Sequence, residues 1–134
     1  MYSLKEIKEH ISFINDANKK ENSDFFIKMD MRISNNEEYL ILTKEIKADI
    51  AEKEVAVSLI NFLNSTGEFP FTKIHMGKEG LIIRNYVNMK HNYIDEKLLN
   101  YMIHEIGLVS EVGNNLLELM NSQDEEGEGQ SGLN

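Results

Sequence analysis

Cysteine and tryptophan are absent from this 134-residue sequence, proline occurs once, and arginine occurs only as Arg32 and Arg84. Without cysteine there is no disulfide, no thiolate metal site and no cysteine nucleophile. Long apolar runs are missing too. Leu40-Ile41-Leu42 and Leu81-Ile82-Ile83 are typical of the longest, far below the roughly 20 residues of a membrane-spanning helix. Basic charge is scarce: Lys+Arg 14 stand against Asp+Glu 23, a formal charge of −9. Such a balance argues against nucleic-acid phosphates as a direct partner, because those need a basic footprint. The first ten residues carry Lys5, Glu6, Lys8 and Glu9 where a secretory signal would be apolar. A cytoplasmic protein with no membrane association is therefore expected.

What remains is an ordinary globular balance, with hydrophobic residues at 41% and charged residues at 28%. Asparagine (15) and lysine (12) are abundant beside the two arginines. That skew is expected of an AT-rich coding sequence, as in a low-GC bacterium or its phage. From Ser122 onward the chain has one hydrophobic residue, Leu133, and four acids, Asp124, Glu125, Glu126 and Glu128. So polar a segment cannot bury enough surface to offset its ordering entropy. A single domain is expected over 1–121 and a disordered acidic tail over 122–134. The tail takes four of the nine excess negative charges, leaving −5 on the domain.

Ser3 and Glu6 have the spacing of a capping box. Leu4, Ile7, Ile11 and Ile14 follow on one helical face, and the polar stretch 15–24 is expected to close that helix. From Phe25 the period changes to two. Phe25, Ile27, Met29, Met31 and Ile33 alternate with Phe26, Lys28, Asp30 and Arg32, the pattern of a half-buried strand. Ser34-Asn35-Asn36 is a turn cluster, and Tyr39 to Ile46 is the second strand of an antiparallel hairpin. Asp49 and Glu52 are placed to start a second helix, with Ala51, Val55, Ala56, Leu59, Ile60 and Leu63 as its apolar stripe and Phe62 beside it. Gly67 is a candidate left-handed cap. Pro70 stands at the start of a third strand carrying Thr72, Ile74 and Met76, Gly77 to Gly80 turns the chain, and Leu81 to Met89 is the fourth strand. Asp95 can cap a long last helix whose apolar positions run from Leu98 to Met120, interrupted by Gly107 and Gly113. Those glycines imply either a break or close packing. The order is α-β-β-α-β-β-α, an α+β fold with helices on one antiparallel sheet.

No constellation of residues declares a chemistry. His10, His75, His91 and His104 lack metal-ligand spacing, and His104-Glu105 has no second histidine to complete HExxH. The serines form no GxSxG elbow. Gly77 and Gly80 are too short for a phosphate loop, and Glu37-Glu38 and Asp95-Glu96 suit a turn and a helix start. No catalytic, cofactor or metal residue is assigned, and a non-enzymatic protein is expected. Met29 and Met31 are expected to fill core rather than form an adaptable binding face. Phe26, Ile82 and Tyr86 are expected to point away from the helices. Apolar residues on both faces of a sheet call for a second layer, a partner or a dimer.

The stretch from Val57 to Ile106 carries a helix ending in Leu63-Asn64, a strand opened by Pro70-Phe71, a hairpin at Gly77 to Gly80, alternating Leu81, Ile83 and Val87, and a helix capped by Asp95. This pattern resembles the bacterial YbjN-like family, which shares its fold with type III secretion chaperones, and in outline it covers residues 25–120. One departure stands out: that fold commonly has three strands between its first two helices, and two are legible here. The resemblance implies a non-enzymatic, acidic, cytoplasmic homodimer that holds an extended segment of a client protein, with no catalytic residues to carry over. The alternative is a phage- or mobile-element-encoded inhibitor whose carboxylates imitate phosphates in a nucleic-acid-binding enzyme.

Overall fold

The structure is a computed structural model in which residues 1–120 are described with their side chains. The side chains of the acidic tail expected over 122–134 lie outside these described residues. The elements are α1 (Leu4–Lys19), β1 (Lys28–Ser34), β2 (Glu37–Lys47), α2 (Lys53–Ser65), β3 (Thr72–Met76), β4 (Gly80–Asn88) and α3 (Glu96–Leu133). The fold is thus α+β, with the expected order and one four-stranded antiparallel sheet arranged β1-β2-β4-β3. No helix among the described residues is long and apolar enough to cross a membrane.

Local chemistry explains most boundaries. Ser3 and Glu6 form a reciprocal capping box at the start of α1. Asn35 and Asn36 both take positive φ, 52° and 62°, which matches the type I′ turn that joins twisted strands through two residues. Asp95 Oδ1 accepts from the Leu98 N–H at 2.9 Å and caps α3. Gly67 sits just past α2 at φ 69°. The interruptions in α3 do not break it. A Cβ on Gly113 would lie 3.3 Å from Leu81 Cδ1, so this glycine admits the sheet, whereas Gly107 faces open space.

One face of the sheet carries the core. Leu40 and Leu42 of β2, Leu81, Ile83 and Val87 of β4, and Ile74 of β3 pack under Ile7 and Ile11 of α1, Ile60 of α2, and Leu99, Met102, Ile106 and Val109 of α3. The cross-strand registers put Met29, Met31 and Ile33 on this same face, as their alternation predicts. Met29 is half-buried and packs against the core, but Met31 and Ile33 are not core. Met31 is 37% and Ile33 73% exposed, because β1 is the outermost strand and the helices do not reach over its far half.

Three other expectations need correction. The alternating segment becomes strand only at Lys28 rather than Phe25. α1 runs on through Asn15 to Lys19 instead of closing there, and Asn15 is buried. The second helix starts at Lys53 with Glu52 as its N-cap and no side-chain cap bond, so Asp49 and Ala51 lie outside it. Its stripe is only partly covered: Ala56 and Ile60 are buried, while Val55, Leu59 and Phe62 are exposed.

Candidate functional site

Strand pairing parity determines which backbone groups are free. In an antiparallel sheet, residues that exchange hydrogen bonds with one neighbour alternate with residues that face the other way. Tyr86 N–H donates to Phe71 O, Met89 N–H to Glu38 O, and Ala48 N–H to Glu79 O. Even-numbered residues of β2 therefore face β4, and odd-numbered ones face β1. β1 begins at Lys28, opposite Thr43. Residues 44–47 of β2 consequently have no neighbour on that side, and the peptide groups of Glu45 and Lys47 point into a gap in the sheet.

That gap is a cavity of about 590 Å³. Phe25, Phe26 and Lys28 wall it on one side, Thr43 to Lys47 on another, and Asn114 of α3 lines it from the core face. Lys44 Nζ lies 5.0 Å from the Phe25 ring centroid, and burial lowers the Lys44 pKa from its ordinary value. Phe26 also lines an adjoining groove of about 260 Å³ formed with Ile11, Asn15, Lys19 and Met29. Its ring lies 5.6 Å from Lys19 Nζ, so Phe26 stands beside α1 and not on the far face of the sheet. The gap exists because Asn15 holds the chain before β1. Its amide donates to Ile27 O at 3.0 Å and accepts from Ile27 N–H at 2.8 Å. This one side chain occupies both peptide groups that face the edge at Ile27.

The opposite edge is occupied in the same manner at the centre of β3. Asn64 of α2 donates to Ile74 O at 2.8 Å and accepts from Ile74 N–H at 2.9 Å, while Thr72 N–H is taken by Phe69 O. By contrast, Met29, Met31 and Ile33 of β1 direct their peptide groups outward with no partner among the described residues.

The sheet face away from the helices carries Ile41, Ile82 and Tyr86, the last two as the alternation predicts. It also carries both arginines, Arg32 opposite Tyr39 and Arg84 between Thr43 and Lys73. His75 is half-buried there, 3.3 Å from the Tyr86 hydroxyl. Burial, and secondarily Arg84, push its pKa below the ordinary value. At one end of this face, Glu37 accepts from Tyr39 at 3.1 Å and Asn88 at 2.8 Å, with His91 at 3.4 Å. The Tyr39 hydrogen bond is foremost in holding the Glu37 carboxyl below its usual range. His10 pairs with Asn100 on α3, and His104 is exposed. The four histidines are thus dispersed, and no group of three or more His, Asp or Glu converges among the described residues.

Sequence reasoning missed one buried cluster. Glu105, 2% exposed, accepts from Phe71 N–H at 3.1 Å and from the Thr72 hydroxyl at 2.7 Å. Thr72 in turn accepts from the amide of Asn85. These groups fasten the start of β3 to α3. The cavity that touches them through Thr72 has only about 10 Å³, too little for a substrate, so the cluster is a structural latch. Only Glu105's position on the apolar side of α3 could have hinted at it. No known protein family, curated protein or solved structure matches the chain.

Proposed function

We propose that this protein is a non-enzymatic protein-binding module that holds an extended segment of a client, as its resemblance to the YbjN-like and secretion-chaperone fold implies. The observation that carries this reading is the gap beside residues 44–47 of β2. It offers unpaired peptide groups at Glu45 and Lys47 and an apolar wall of Phe25 and Phe26. Those are the two requirements of strand addition: main-chain hydrogen bonds for affinity and side-chain pockets for selectivity. At a rise of about 3.3 Å per residue, a client segment of about four residues completes the row that β1 leaves open. The two strands between α1 and α2, where the related fold commonly has three, leave the family assignment resting on the hairpin and the last helix. A cytoplasmic homodimer remains part of the proposal.

The acidic-inhibitor reading has less support. The acids of residues 122–134 lie outside the residues whose side chains are described, and the far sheet face sets both arginines among its carboxylates Asp30, Glu37 and Glu45 instead of an unbroken acidic array.

Capture of a client from cells that naturally make the protein tests this reading. Glu45→Pro removes a gap-facing N–H and Phe26→Ala removes part of the wall, so each should lower recovery at least tenfold, a change of about 1.4 kcal/mol. Tyr86→Ala, on the far face, should leave recovery unchanged. Equal recovery by all variants would place the client elsewhere.

A further inference from the structure

We infer that the outer edge of β1 is a self-pairing surface: a second copy of this chain lays its own β1 antiparallel against it, on a two-fold axis at Met31.

Parity and charge lead to this arrangement. The outward peptide groups belong to Met29, Met31 and Ile33. Asn15 occupies the next outward position on one side, Ile27, and the Asn35-Asn36 turn ends the strand on the other. The free groups are therefore symmetric about Met31, the middle residue of Lys28–Ser34. A two-fold through Met31 pairs Met31 with its own copy and Met29 with Ile33 of the second copy, and each such pair exchanges two hydrogen bonds. It also sets Asp30 opposite Arg32 of the second copy, twice. These fall at the non-hydrogen-bonded positions, where side chains approach most closely and opposite charges stabilise the pair.

Neighbouring registers fail on the same rule. An axis at Asp30 opposes aspartate to aspartate and Lys28 to Arg32, while an axis at Arg32 opposes arginine to arginine. Like charges directly opposite are destabilising. Within one chain, Asp30 has only the exposed Lys28 at 3.6 Å, and Arg32 forms no ion pair among the described residues. On the other face, Met31 and Ile33 are the exposed apolar residues that the pairing would cover. An open apolar edge of this kind is otherwise an association hazard.

The pairing supplies the homodimer included in the client-binding proposal, but its test reads oligomeric state alone. Sedimentation velocity of the full chain is run up to about 100 μM, well above a micromolar Kd. The wild type should dimerise. Asp30→Arg and Arg32→Asp, each of which opposes like charges across the axis, should weaken self-association at least tenfold. An equimolar mixture of the two variants, and the double variant carrying both changes, should restore it, because each recreates the opposite-charge pairs. Unchanged circular dichroism certifies the fold of variants at these exposed sites. A monomeric wild type, single variants that dimerise normally, or a mixture that stays monomeric would each overturn the inference. Normal dimerisation of the single variants would point instead to the exposed Val55, Leu59 and Phe62 of α2. A dimer that restores as stated but captures no client would refute only the client-binding proposal.

Discussion

Asn15 and Asn64 perform the same task twelve and ten residues from their targets. Each lends a side-chain amide to a strand that has run out of neighbours, imitating the peptide of a missing strand. For Asn15 the site is buried, so water cannot replace the bonds. Asn15→Ala leaves a buried N–H and a buried C=O unpaired and should destabilise the protein by about 2 kcal/mol or more. Asn18, three residues further on, donates only to Ile14 of its own helix, and Asn18→Ala should cost less than about 0.5 kcal/mol. Urea unfolding of the two variants checks the contrast. None of this was legible beforehand: in a list of residues, Asn15 is one more polar residue at the end of an apolar stripe. Its role appears only when the chain returns twelve residues later.

At the scale of elements, periodicity and caps carried far. The capping box at Ser3 and Glu6, the turn at Asn35-Asn36, the Asp95 cap and the order of all seven elements follow from spacing and side-chain chemistry alone. What spacing does not convey is coverage. Alternation correctly placed Met31 and Ile33 on the helix side of the sheet, but whether a helix lies above them depends on where α1 crosses. The same holds for the stripe of α2, of which only Ala56 and Ile60 are buried. The gap beside residues 44–47 was hidden for a related reason, since it arises from the unequal lengths of two paired strands. The two glycines inside α3 offer an element-scale test. Gly107→Ala fills open space in a helix and should stabilise by about 0.5–1 kcal/mol. Gly113→Ala would press a methyl against buried Leu81, 3.3 Å away, and overpacking should remove at least about 0.5 kcal/mol of that gain. Thermal unfolding of both variants measures the difference.

For the molecule as a whole, acidification works in one direction. Glu6, chiefly through the Ser3 backbone hydrogen bond, and Glu37, chiefly through Tyr39, have folded pKa values below the ordinary 4.5. As pH falls, the unfolded chain takes up these protons first, so their contribution is complete above 4.5 and is lost through the lowered folded values. His75 is lowered from 6.5 by burial and then by Arg84. It too is protonated first in the unfolded chain, and stability begins to fall once pH drops below 6.5. Urea midpoints should therefore decline in two stages on acidification. His75→Gln should abolish the upper stage, and Glu37→Gln should reduce the lower one. The occupation of the middle of β3 by Asn64 has a consequence for assembly size. With that centre taken, β1 is the one edge among the described residues open along a whole strand, a valence of one for strand-to-strand association. The two-fold proposed at Met31 uses up that valence in a single step, so growth ends at a closed pair and cannot propagate into a ribbon.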